Sequence, residues 1–386
     1  MTCWRSPQFT TLATCCRSRL EGFAAMLSLL LACLWAEPAP RPDLPVVQRP
    51  ATTVFVSFAG ETRLGRFRQN PETGELSPLP SIPLPGHAGA LLVNRQHTVL
   101  VAALREEGRL CSLSLTTPQP ELLSDVPAGE DPAYVAFDRE ERFLFTAYYV
   151  SNKVTVHKID STGHLSAEPV QSLATDRCAH GVQVDRSNRF VFVPHTAANA
   201  IYQFRFDAQG GQLVPNHPPV LKRPPHTGPR HLVFHPRLPV VYVNNEQENS
   251  VSWYAWEDGV GTLRLLGTRP TLPLGVEIPN STADLELHPS GETLYCANRG
   301  HNSLALFAVD RGTGALQPLG RQPTEAVPRE FHITADGRHL YVAGEGSGKL
   351  AAYKIVDRGH LQLVATYEAG RQPFWVLAVP DPVRER

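Results

Sequence analysis

Six side chains, far apart in this 386-residue chain, form a coherent chemical set: His180, Arg230, Glu246, Arg299, Arg329 and Glu345. Guanidinium forks bind carboxylate or phosphate oxygens bidentately and can face a developing oxyanion. An imidazole or a carboxylate can draw a proton from water. Three arginines, one histidine and two glutamates therefore suit an anionic small molecule attacked by an activated water. Charges lining a channel can also do no more than satisfy one another. The functional reading stands only if the fold brings all six together.

The elements that carry them repeat. A turn ends in Gly-x-Leu and opens a short apolar strand at Gly74-Glu75-Leu76, Gly163-His164-Leu165, Gly211-Gln212-Leu213, Gly261-Thr262-Leu263, Gly314-Ala315-Leu316 and Gly359-His360-Leu361. A period of about 50 residues built from short strands is the signature of a β-propeller, one blade per repeat. Between the turns run four-to-eight-residue stretches rich in β-branched and aromatic residues, four per repeat, and helical periodicity is absent from residue 51 onward. Residues 52–85 supply three strands with no innermost strand before them. Residues 372–379 match an innermost strand with nothing after it. Joined, they complete a blade and leave no open sheet edge. The expected fold is all-β, a seven-bladed β-propeller of four antiparallel strands per blade, with the C-terminal strand joining the N-terminal blade. Blade 2 departs from the motif, with Pro118-Gln119-Pro120-Glu121-Leu122 where Gly-x-Leu should stand.

Aligning the repeats yields two rings. The start of the innermost strand gives Gly89, Ala133, His180, Arg230, Ala283, Arg329 and Phe374. The loop after the second strand gives Arg105, Tyr149, Thr196, Glu246, Arg299 and Glu345. Both sets belong at one end of the central channel, because first-strand starts and second-strand ends share a face of an antiparallel blade. The predicted site is lopsided, built mainly from blades 4 to 7. His235 and His288 each precede a proline in a turn and are expected to be structural and solvent-facing. His157, on an outer strand, is expected to be exposed.

Charge is balanced, 36 basic against 37 acidic residues with no basic run, which argues against nucleic acid or a membrane surface as partner. The first 50 residues lie outside the repeat. Arg17 and Arg19 precede an apolar run over residues 23–36 and a proline-rich stretch to Pro50, a pattern that reads as an export signal and linker. The run is short for a membrane span. Leu30-Leu31-Ala32-Cys33 resembles a lipoprotein cleavage box, with Cys33 a possible lipid anchor, while Met26 offers an alternative start. Domain organisation is thus residues 1–50 as leader and residues 51–386 as propeller, expected to be monomeric. Cys111, Cys178 and Cys296 have no CxxC spacing and read as buried free thiols.

Cys178-Ala179-His180-Gly181, Thr227-Gly228-Pro229-Arg230-His231 and Gln322-Pro323-Thr324-Glu325, in this order, resemble the propeller-type bacterial 6-phosphogluconolactonases. Asp336-Gly337-Arg338-His339 and Gly370-Arg371-Gln372-Pro373-Phe374-Trp375 add to the likeness, which spans about residues 52–380. The family also holds fungal enzymes that form a lactone from a muconate. The resemblance implies catalytic roles for His180, Arg230, Glu246 and Arg299, and no metal or cofactor. Arg329 and Glu345 follow as substrate-binding residues. Hydrolysis of a sugar lactone to the aldonic acid is the expected activity, with His180 or Glu246 as base. No Gly-x-Ser-x-Gly turn is present, which favours direct attack by water over an acyl-enzyme. The alternatives are a lactone-forming cycloisomerase and a non-catalytic secreted propeller that binds proteins.

Overall fold

The innermost strands of the seven sheets are short and bent, the second strands buried along their length, and the outermost half exposed. The computed structural model describes residues 51–381, so the export signal and Cys33 lie outside the described residues. Each sheet has four antiparallel strands, which in six of the seven run in chain order from the axis outward. Blade 5, for example, runs Pro229–Phe234, Val240–Asn245, Ser250–Glu257 and Thr262–Pro270. The expected closure is present: Pro373–Pro380 pairs with Thr52–Phe58, which pairs with Arg63–Gln69 and then Leu76–Pro83. Apart from one 3₁₀ turn at Asp357–Gly359, no helix occurs among the described residues.

Sequence pattern follows position. The second strands Val99–Leu104, Phe143–Tyr148 and Val240–Asn245 are near-continuous apolar runs, and all six residues of each are buried. A strand covered on both faces reads this way. The outermost strand Leu76–Pro83 keeps only Leu76 and Ile82 buried. Seven apolar clusters weld neighbouring blades; one joins Phe190, Phe192 and Ile201 of blade 4 to Val241, Val243 and Trp256 of blade 5. Another spans the closure, with Leu377 and Phe55 of blade 1 against Leu100 and Leu113 of blade 2.

The Gly-x-Leu repeat has a physical reason beyond the turn. At Gly261 φ is +69°, in the left-handed region, and a Cβ there would sit 2.0 Å from Phe190 of the preceding blade. Gly211 meets Phe143 in the same way, at 2.3 Å. The glycine serves both the turn and the close approach of one blade to the next. Blade 2 forms its outer strand, Glu121–Pro127, without the motif.

The turns after the innermost strands each need an acceptor for two backbone N–H groups. Asp185 Oδ1 accepts from Arg189 N and Phe190 N, both at 2.8 Å. In blade 5 the acceptor is His235 Nδ1, taking Arg237 N at 3.1 Å and Leu238 N at 2.9 Å. His235 is therefore structural but buried rather than solvent-facing, because its other nitrogen reaches the Gly291 carbonyl of blade 6 at 3.1 Å. His288 repeats this on Gly337 at 2.8 Å and is half-buried. His157 is also not exposed: it is fully buried, and burial pulls its imidazole down to about 4. Cys111 and Cys296 are buried free thiols and Cys178 is half-buried.

Candidate active site

Each residue of the inner ring sits where its strand slips register against the next. In blade 5, Pro229 pairs with Asn245 and Leu232 with Val243, so Arg230 and His231 together oppose Asn244. Blade 6 does the same with Ala283 and Asp284, and blade 2 with Gly89 and Ala90. Arg329, Ala133 and Phe374 are the extra residues in blades 7, 3 and 1. In blade 4, between the Ala179–His195 bridge and the Gln183–Phe192 pair, residues 180–182 oppose only two. A bulge bends the strand and re-aims its side chains. Here it delivers two consecutive residues to the channel, one at the mouth and one beneath.

At the mouth the six predicted residues come together. Glu246 bridges two arginines: Arg299 Nη2 lies 2.6 Å from Oε1, and Arg230 Nε 3.6 Å from Oε2. Arg329 pairs with Glu345 at 3.2 Å. His180 is nearly buried, packed edge-on to Tyr149 with ring centroids 5.5 Å apart and to His231 at 5.2 Å. Its Nδ1 is buried with no hydrogen-bond partner. Burial first, then the Arg230 charge, holds the His180 imidazole well below its ordinary value, so it is neutral at pH 7.

Two mouth residues fell outside the predicted site. Arg105 is ion-paired with Asp131. Phe374 lies between two cations, with Arg329 Cζ 4.0 Å from its ring centroid and Arg105 Cζ at 5.3 Å. A cavity of about 330 Å³ opens beside them, lined by Ala59, His87, Gly89, Arg105, Asp131 and Phe374. The open space thus lies toward blades 1 and 2, where Arg105, Glu106 and Asp131 line it; the other charged groups of the mouth lie toward blades 4 to 7, and Phe374 with Arg329 joins the two.

Beneath the mouth is a layer that repeat alignment missed, displaced by one residue from the ring: Tyr134, His231, Asp284, Glu330 and Trp375. His231 meets Tyr134 at 4.9 Å and Trp375 at 6.2 Å between ring centroids, contacts that cross the axis. Arg230, 1% exposed, reaches down from the mouth to Glu330 Oε1 at 3.2 Å and to the Ala283 carbonyl. His231 Nδ1 is 3.1 Å from Asp284 Oδ1. His231, Asp284 and Glu330 place three donor atoms within 4.8 Å of one another, near enough to hold a metal ion. The Arg230 guanidinium, however, already supplies the positive charge there. Farther down, a cavity of about 290 Å³ is lined by Gln183, Asp284, Glu286, His332 and Trp375.

A seven-bladed propeller whose channel mouth joins arginines, glutamates and an uncharged imidazole has the groups to receive a small anionic molecule. The description "Lactonase, 7-bladed beta-propeller" matches residues 53–378, and the chain belongs to that family. It is 30% identical over 326 residues to a 6-phosphogluconolactonase of Erwinia tasmaniensis, covering 84% of this chain and 97% of the relative. A 6-phosphogluconolactonase of Pectobacterium carotovorum subsp. carotovorum is 31% identical over 310 residues, 78% of this chain and 91% of the relative. In fold it is similar to a periplasmic gluconolactonase of Pseudomonas aeruginosa, with a TM-score of 0.81 at 23% identity, covering 86% of this chain and all of that one. No helix of the described residues is long and apolar enough to cross a membrane.

Proposed function

We propose that the chain hydrolyses a sugar lactone of the 6-phosphogluconolactone type to the aldonic acid, at the arginine-bearing mouth of the channel. The observation that carries this reading is the uncharged, unpartnered imidazole of His180 beside the Arg230–Glu246–Arg299 chain. His180 acts as general base: it takes a proton from the attacking water and returns it to the ring oxygen as the C–O bond breaks. Glu246 is the weaker candidate for that role, since protonating it would break two ion pairs. Its part is to hold Arg230 and Arg299 side by side, facing the carbonyl oxygen as it becomes an oxyanion. Arg329, seated on Phe374, and Arg105 across the cavity receive the hydroxyl or phosphate end of the sugar. Family membership supports lactone chemistry, and the names of the two curated relatives point to the phosphorylated substrate.

The test is lactone opening by the purified chain with 6-phosphoglucono-δ-lactone and with glucono-δ-lactone, after subtraction of uncatalysed hydrolysis. His180→Ala should lower kcat by ~10²–10⁴-fold, the usual worth of general-base assistance. A wild-type chain with no activity on either lactone, or full activity in His180→Ala, would overturn the reading.

A further inference from the structure

Arg230 is held from both sides. Glu246 approaches from the mouth at 3.6 Å and Glu330 from beneath at 3.2 Å. Charge counting shows why the lower partner matters. Arg230, Arg299 and Glu246 together carry one net positive charge, and Arg329 with Glu345 carries none. Asp284 lies on His231 rather than on Arg230, but an ionised Glu330 would sit directly on the Arg230 guanidinium and cancel the remaining positive charge there. If Glu330 is protonated, that positive charge stays at the mouth.

The hydrogen bonds distinguish the two buried acids. Asp284 is solvated as a carboxylate should be: Leu285 N donates to Oδ1 at 2.7 Å, Phe331 N to Oδ2 at 3.2 Å, and His231 Nδ1 lies 3.1 Å from Oδ1. Glu330 has no backbone donor: Arg230 Nη2 donates to its Oε1 at 3.2 Å, no group donates to its buried Oε2, and its side-chain contact with Asp284 favours the proton on Glu330. Two carboxylates that close, both buried, cannot cheaply be ionised together.

We propose that the Asp284–Glu330 pair carries a single negative charge in the working enzyme, with Glu330 the protonated member. In that state Glu330 is a positioning residue: it anchors Arg230 without neutralising it. The inference rests on the lactonase reading for its consequence, though not for the protonation itself. Burial, then the neighbouring Asp284 charge, raises Glu330 to about 8, and burial, then Glu286, raises Asp284 to about 7. The groups around the pair are Arg230 and His231 from blade 5, Glu286 and the Cys296 thiol from blade 6, Arg329 and His332 from blade 7, and Tyr134 from blade 3. His231 is pulled down to about 3, chiefly by burial, and so contributes no charge near neutrality.

Infrared spectroscopy reads the protonation without substrate. Between about pH 7 and about pH 8, where Asp284 is ionised and Glu330 is not, the wild-type chain should show the carbonyl stretch of a protonated carboxylic acid, which fades as pH rises past about 8. Glu330→Gln should lack that band. In kinetics, wild-type kcat/KM should fall about tenfold on the alkaline side as the mouth loses its net charge, one pKa-linked unit of 1.4 kcal/mol. The Glu330→Gln profile should lack that limb, whatever its plateau. Asp284→Asn removes the like charge beside Glu330, so the limb should move to lower pH. A band absent in wild type, or unchanged in Glu330→Gln, overturns the proposal, as does one tightly held divalent cation per chain on His231, Asp284 and Glu330. If the infrared result holds but no lactone is opened, the lactonase reading fails and the protonation stands.

Discussion

The channel mouth and the layer beneath it are built from adjacent residues, yet they differ in almost every physical respect. Arg230, Ala283 and Arg329 belong to the mouth; His231, Asp284 and Glu330, each one residue on, belong to the buried layer. At the mouth, every carboxylate faces a cation and all but Arg230 are partly exposed: Glu246 with Arg299 and Arg230, Glu345 with Arg329, Asp131 with Arg105. Below, the groups are sealed, and burial pushes them toward their neutral forms, the imidazole of His231 down and the carboxyls of Asp284 and Glu330 up. One bulge thus separates groups that keep a charge for the substrate from a buried layer in which His231 and Glu330 give theirs up and Asp284 alone keeps one.

The sharpest way to break that comparison is to truncate one member of each layer. Arg230→Ala removes a cation facing the reacting carbonyl and should lower kcat/KM by ~10²–10³-fold. Its effect on stability should be modest for a buried arginine, because a protonated Glu330 is not left as a stranded charge. Glu330→Ala should do the reverse, costing about 1–3 kcal/mol of stability and only about tenfold in kcat/KM, through a looser Arg230. Activity assays and denaturant unfolding of both variants decide it. If the buried residue proves the more damaging to activity, the division into two layers is wrong.

A second prediction concerns pH. His180 and His231 have folded values below the unfolded 6.5, as do His157 and His195, both near 4. Their contribution to stability is complete above about pH 6.5 and is lost as pH falls below it, because the unfolded chain then binds more protons. The raised Asp284 and Glu330 act oppositely: the folded chain binds more protons, so stability declines as pH rises from the ordinary carboxylate range to about 8. Melting temperature should peak near pH 6.5. Asp284→Asn and Glu330→Gln should flatten the alkaline side alone, and an unchanged alkaline slope in both would show that the lower layer does not titrate as described.

The propeller, its closing strand and the ring of six were legible because they depend on repeated local signals: the Gly-x-Leu turn, apolar second strands and aligned strand starts. The lower layer was not, because a bulge is a register property with no residue signature of its own. Strict strand alternation would have turned His231 and Glu330 away from the side that Arg230 and Arg329 face. A signal was nonetheless present: Arg230-His231 and Arg329-Glu330 are polar doublets in strands whose other residues are apolar except for His332. The misread burial of His157 and His235 has a related cause, since facing blades cover positions that are exposed in an isolated blade.

Phe374 tests the comparison at its weakest point, on the apolar side of the mouth. It is the only aromatic residue in the inner ring, and its neighbour Trp375 belongs to the lower layer. The Phe374 ring is 6% exposed and stacks against Arg329 and Arg105, which otherwise face their own carboxylates. Phe374→Leu keeps the apolar volume and removes the π face, so stability should fall by only about 0.5–1 kcal/mol. Arg329 would lose its platform while keeping Glu345, and the predicted consequence is a KM raised about two- to fivefold, at the ~0.5–1 kcal/mol worth of such a contact, with kcat nearly unchanged. A fall in kcat instead would mean that Phe374 orders the reacting end of the lactone, and that the cavity beside it holds the ester rather than the tail of the sugar.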